Sequence, residues 1–136
     1  MDYNIQKFIA HLHSRPGATE ASIAESERQL QRTLPKEYLD FLKLTNGGEG
    51  FIGNTEYVVL WSVEQLAPMN QSYEVYKYAA ELLVFGTDGG DEAYGFDARL
   101  PEWMIVRVPF VGMDWSNAQP IGRTFNSFLQ RLYEVD

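Results

Sequence analysis

The periodicity of the apolar residues changes twice along the chain, near Gly47 and again near Ile121, and this ordering constrains the fold more than any other feature. Before Gly47, apolar side chains recur at the i, i+3, i+4, i+7 spacing of one helical face. Between the two points the chain carries short β-branched and aromatic runs separated by turn residues. After Ile121 the helical spacing returns with Phe125, Phe128, Leu129 and Leu132. This order predicts an α+β domain with N-terminal helices, an antiparallel sheet of four to six strands, and a C-terminal helix packed on one sheet face. Crossover helices of a doubly wound parallel fold have no room between most of these strands.

The segments follow from that frame. Asp2 is a candidate cap for a first helix carrying Ile5, Phe8, Ile9 and Leu12, ended by Arg15-Pro16-Gly17. A second helix is expected from Thr19 to Gln31, burying Ile23, Ala24 and Leu30. A third has Pro35 in its first turn, Tyr38, Phe41, Leu42 and Thr45 on one side, and Asn46-Gly47 as a left-handed exit. Strands are expected at Glu56–Trp61, Leu82–Phe85, Ala93–Phe96 and Trp103–Val108, with Phe51-Ile52 as a fifth. Thr87-Asp88-Gly89-Gly90-Asp91 reads as a hairpin loop. Ser62-Val63-Glu64-Gln65 resembles a capping box for a short helix that Pro68 stops, and Gln71–Ala80 reads as either a helix or an ordered loop.

A chain of 136 residues fits one domain, residues 1–136, large enough to bury a core without a disulfide or structural metal. With no cysteine there is no disulfide framework, thiolate metal site or Cys nucleophile, which accords with a reducing cytosol. The start Met1-Asp2-Tyr3-Asn4 lacks the basic and apolar regions of an export signal, and no segment approaches the ~18 apolar residues of a membrane span. A cytoplasmic location is therefore expected. The charge is uneven. Nine carboxylates and one base, Lys77, lie between Leu44 and Ala98, so the whole net charge of −8 belongs to the middle of the chain. Such a protein repels nucleic-acid phosphates and anionic membrane; the acids serve either solubility or a basic partner.

Few motifs carry chemistry. Gly48-Glu49-Gly50-Phe51-Ile52-Gly53 matches the letters of a dinucleotide-binding loop, but a helix precedes it and a strand follows, the reverse of what places a pyrophosphate on a helix N-terminus. His11 and His13, read as helical, would project apart and could not share a metal. Asp88, Asp91, Glu92 and Asp97 could pair for acid–base work or collect a hard cation, yet the loop lacks the ligand pattern of a calcium site. No metal, cofactor or catalytic residue is assigned, and the chain is read as a non-enzyme. Trp61 and Trp103 read as core. Trp115, on a loop beside Asp114, reads as either a packed ring or an interface anchor.

The string Leu34-Pro35-Lys36-Glu37-Tyr38-Leu39-Asp40-Phe41-Leu42, followed by Asn46-Gly47-Gly48-Glu49-Gly50, resembles the signature of the SUKH superfamily of fungal Smi/Knr-type cell-wall regulators and bacterial immunity proteins. Glu27, the hairpin Leu83–Gly90 with Tyr94–Asp97, and Ile121–Leu129 fall in the family's order, while Asp91-Glu92 departs from the small residues many members carry. The resemblance implies an α+β fold and a protein-binding role, most readily immunity against a toxin, often a nuclease. The alternatives are a regulatory scaffold of the Smi/Knr type and a small carboxylate-dependent enzyme. Basic nucleases suit an acidic partner. The expected partner-binding residues are Glu49, Glu56, Asp88, Asp91, Glu92, Asp114 and Trp115.

Overall fold

The computed structural model describes residues 4–135, so the expected cap Asp2 lies outside the described residues. Helix α1 (Asn4–Phe8) is followed by strand β1 (Leu12–Ser14), then α2 (Glu20–Leu30), α3 (Lys36–Leu44), β2 (Gly48–Ile52) and β3 (Glu56–Leu60). A 3₁₀ turn at Val63–Gln65 leads into α4 (Leu66–Ser72) and α5 (Val75–Tyr78). Strands β4 (Leu82–Thr87), β5 (Glu92–Asp97), β6 (Met104–Pro109) and β7 (Gln119–Gly122) precede α6 (Phe125–Glu134). The seven strands form one antiparallel sheet in chain order, β1 to β7, each paired with the next.

The α+β class and the closing helix hold; the strand count rises from the expected four to six to seven. The two additions are short edge strands. Leu12 has helical spacing from Phe8, but the helix stops at Phe8, and Leu12 reaches the core from β1, opposite Gly50. His11 and His13 are therefore not helical, which removes the geometric reason for setting them apart. Strand β7 contains Pro120, which its edge position tolerates.

One sheet face carries Val58, Leu60, Leu83, Phe85, Tyr94, Phe96 and Ile105 against α1, α2, α3 and α6. The i, i+3, i+4, i+7 spacing along α6 brings Phe125, Phe128, Leu129 and Leu132 to that face, and each such burial is worth ~1.5–3 kcal/mol. Thr124 and Ser127 cap its start reciprocally, each side-chain oxygen accepting from the other's backbone N–H at 3.1 and 2.9 Å. The opposite face carries Val84, Ala93, Val106 and Val108, with Trp61, Val75, Ala79 and Met113 packed over them. Trp61 is thus core, beyond the end of β3, and Trp103 is half-buried against the larger core.

Local details differ from expectation for identifiable reasons. Ala24 is exposed, and Ser26 takes the buried place because its hydroxyl donates to the Val63 carbonyl at 2.9 Å. Pro35 is the capping residue ahead of α3, not part of its first turn. Thr45 leaves the helical conformation as an extended cap, and Gly47, with φ +79°, makes the left-handed turn two residues on. Pro68 lies in the first turn of α4, where its missing N–H costs no helical bond. Gln71–Ala80 holds the end of α4 and the whole of α5.

Candidate functional surface

The β2–β3 and β4–β5 hairpins turn at the same end of the sheet. Val59 faces Thr87 across β3 and β4, so the turn Asp88–Asp91 runs on beside Tyr57 and Glu56. Gly89, at φ +86°, brings the turn so close that an added Cβ would stand 3.2 Å from the Tyr57 ring. Asp88 shapes this turn: its Oδ1 accepts from the backbone N–H of Gly90 at 2.8 Å and of Glu92 at 3.2 Å. Thr87 Oγ1 accepts from Gly89 N–H at 2.7 Å.

Strand alternation divides the acids of this end between two faces. Glu56, Asp88 and Glu92 gather round Tyr94 and Arg107 on the helix-covered side. Burial pushes the Tyr94 phenol up to about 12, the Asp88 and Glu56 carboxylates push the same way, and Arg107 opposes them. Glu92 is 3.8 Å from the Arg107 guanidinium. Glu49 points to the other face, where its Oε2 accepts from the Tyr57 hydroxyl at 2.5 Å, a bond that raises the phenol's pKa. Across the strand pair, the Phe51 and Tyr57 rings meet edge to face at 5.3 Å, both partly exposed. Asp91 is exposed at the turn.

Asp114 and Trp115 lie at the opposite end of the sheet. Trp115 Nε1–H donates to the carbonyl of Ala80, which precedes β4, at 2.8 Å. The Arg99 guanidinium stands 3.6 Å over its ring and is itself clamped by Asp97, with nitrogen–oxygen distances of 3.0 and 2.9 Å. Those bonds hold the Asp97 carboxyl below its ordinary value. Asp114 caps a 3₁₀ turn, its Oδ2 accepting from Ser116 N–H at 2.8 Å and Oγ–H at 2.6 Å, which lowers its pKa. Five of the expected residues therefore share one end, and two stand at the other. Asp97 is also remote from the turn acids. The length of β5, at ~3.4 Å per residue, separates it from Glu92 by about 17 Å.

The two ends differ in charge pairing. At the Asp97 end, Asp97 holds Arg99, and Glu81 pairs with Arg32 at 3.5 Å. At the hairpin end, among the described residues, Glu49, Glu56, Asp88 and Asp91 have no ion pair within 4.0 Å, and Glu92 alone has a cation. Phe51 and Tyr57 were not among the expected site residues. Their signal was the equal spacing of two aromatics about Gly53-Asn54-Thr55, which becomes a contact only once the hairpin register is known. Among the described residues no three His, Asp or Glu side chains are grouped to hold a metal, and no helix is long and apolar enough to cross a membrane. The Gly48–Gly53 segment is strand β2 and its turn, with no helix N-terminus following it.

A meandering antiparallel sheet backed by helices, with an acidic and aromatic surface at its hairpin end, defines an α+β domain whose distinctive surface is a face and not a cleft. Residues 17–131 match the SMI1 / KNR4 family (SUKH-1), and the chain belongs to that family. No curated protein matches the chain. The residues that carry the resemblance are mostly braces. Glu27 accepts from Leu34 N–H at 2.8 Å, and Leu34 inserts into the core. Asn46 accepts from Val63 N–H and donates to Glu64, both at 2.7 Å, tying the start of the sheet to the 3₁₀ turn.

Proposed function

We propose that this protein is a non-catalytic, cytoplasmic binding domain whose hairpin end takes a basic protein partner, and that the partner is a toxin domain, such as a nuclease, which it neutralises. The observation that carries this reading is the segregation of carboxylates: among the described residues Glu49, Glu56, Asp88 and Asp91 stand at one end with no ion pair, while at the other end Asp97 and Glu81 are matched by Arg99 and Arg32. A localised negative field steers a cationic protein into encounter and loses strength with salt. The family supports a binding role, since it takes in immunity proteins and Smi/Knr-type regulators alike. Asp114 and Trp115 join the interface if the partner spans the sheet.

The test is a pull-down at low and moderate salt, followed by identification, purification and binding kinetics of what is captured. Changing Glu56 and Asp91 to lysine is expected to slow association and flatten its salt dependence with the fold intact; Asp88 is left in place because it shapes the turn. Trp115→Ala should speed dissociation about tenfold, or ~1.4 kcal/mol, if the partner reaches that end. Unchanged association for the lysine variant removes the acidic-surface reading. Capture of a resident cellular protein instead of a toxin would assign the regulatory role.

A further inference from the structure

Resting on the reading of the hairpin end as a partner surface, we propose that its anchor is the open sheet face at Phe51 and Tyr57, and that this face receives an arginine side chain of the basic partner. Along the other half of the same sheet face, α5 and the segment after β6 cover the strands, and Val84, Ala93 and Val108 are fully buried. Over β2 and β3 no described residue does so: Phe51 is 46% exposed and Tyr57 36%. The strip continues along β3 through half-buried Val59 to Trp61, whose ring stacks on Tyr73 at 6.2 Å, and Tyr73 meets Phe110 at 4.7 Å. An apolar centre rimmed by charge is the anatomy of an interface whose few aromatic residues dominate affinity.

The chemistry of the occupant is read from the molecule's other end. There, Trp115 supplies an aromatic face, Asp97 a carboxylate, and Arg99 lies between them, its guanidinium carbon 3.6 Å over the ring and its side chain held by two hydrogen bonds. The hairpin end has the same two components, the aromatic pair and the Glu49 carboxylate, with no cation from the described chain over either ring. Arg15 and His13 border Glu49 on the β1 side without forming an ion pair. Tyr57 is held by its hydroxyl on Glu49 and by the close approach of Gly89 to its ring edge, so it loses little freedom on binding. A guanidinium suits such a site better than an ammonium because it is planar, weakly hydrated and able to stack while it hydrogen-bonds a carboxylate.

The experiment uses the whole chain and two probes of equal charge, hexa-arginine amide and hexa-lysine amide, titrated by calorimetry and followed by backbone amide shifts. Hexa-arginine is expected to bind about threefold or more tighter, with shifts centred on β2 and β3. Phe51→Ser, at an exposed position that leaves the fold intact by circular dichroism, should abolish the preference. Glu56→Gln with Asp91→Asn should weaken both peptides alike and keep it. Equal binding of the two peptides, shifts centred elsewhere, or a preference that survives Phe51→Ser would overturn the anchor while leaving the acidic surface standing. If neither peptide binds at low salt, or if neutralising the acids changes nothing, the surface reading falls with it.

Discussion

Tyr38 is among the most enclosed side chains of the protein, its ring 5.0 to 5.6 Å from those of Phe85, Phe96 and Phe125. Its hydroxyl is buried without a hydrogen-bond partner among the described residues, and burial drives the phenol's pKa far up. An unpaired buried hydroxyl costs ~1–3 kcal/mol, so Tyr38→Phe should raise the free energy of unfolding by about 1 kcal/mol in urea denaturation. Destabilisation of that size would show that the hydroxyl does have a partner. Asp97 makes a prediction of opposite sign. Its folded pKa is lowered by Arg99, so its contribution is present above the ordinary carboxylate value of ~4 and is lost as pH falls through the lower folded value. The stability difference between wild type and Asp97→Asn should therefore shrink toward zero in acid; a difference constant from pH 7 to pH 2 would refute the assignment.

At the scale of elements, the sheet is weakest between β3 and β4, which pair only at Val59–Thr87 and Leu60–Gly86. Past Trp61, whose N–H still donates to the Phe85 carbonyl at 3.0 Å, the strands part, and Asn70 of α4 takes the place of a neighbouring strand. Its Oδ1 accepts from Val84 N–H and its Nδ2 donates to the Val84 carbonyl, both at 2.8 Å, with Nδ2 also reaching the Leu66 carbonyl at 2.8 Å. Asn70→Leu leaves both Val84 groups without partners and should cost about 2 kcal/mol or more, with faster hydrogen exchange at the Val84 amide. Exchange at the wild-type rate would mean another group caps β4. Nothing in the sequence marked Asn70, because a side-chain amide that imitates a peptide is defined by what stands opposite it. The failure at β1 has a similar cause: over Ile5 to Leu12 the stretch is too short for periods of 3.6 and 2 to separate.

Across the whole molecule, charge is sorted by position more than by amount. Position and net charge can be separated by comparing two double variants of equal charge change. Glu56→Lys with Asp91→Lys should slow association with a cationic partner, whereas Glu81→Lys with Glu102→Lys, at the other end, should leave it nearly unchanged. Equal slowing would make the effect one of total charge.

The sequence by itself determined the α+β class, the hairpin at Asp88–Asp91, the core faces of α3 and α6, and the acidic character of the middle segment. These rest on local spacing, turn chemistry and composition, which no distant contact has to supply. Tertiary structure decided which acids share a surface: Glu56 and Tyr57 are adjacent in the chain yet face opposite sides of the sheet, while Glu49 and Tyr57, eight residues apart, are joined by a hydrogen bond. It also closed Trp115 against Ala80 and Arg99 and left Phe51 open. The physical reason is that strand register and the reach of covering helices are set by contacts far apart in sequence, and only those contacts fix which side chains end up under a neighbour and which face water.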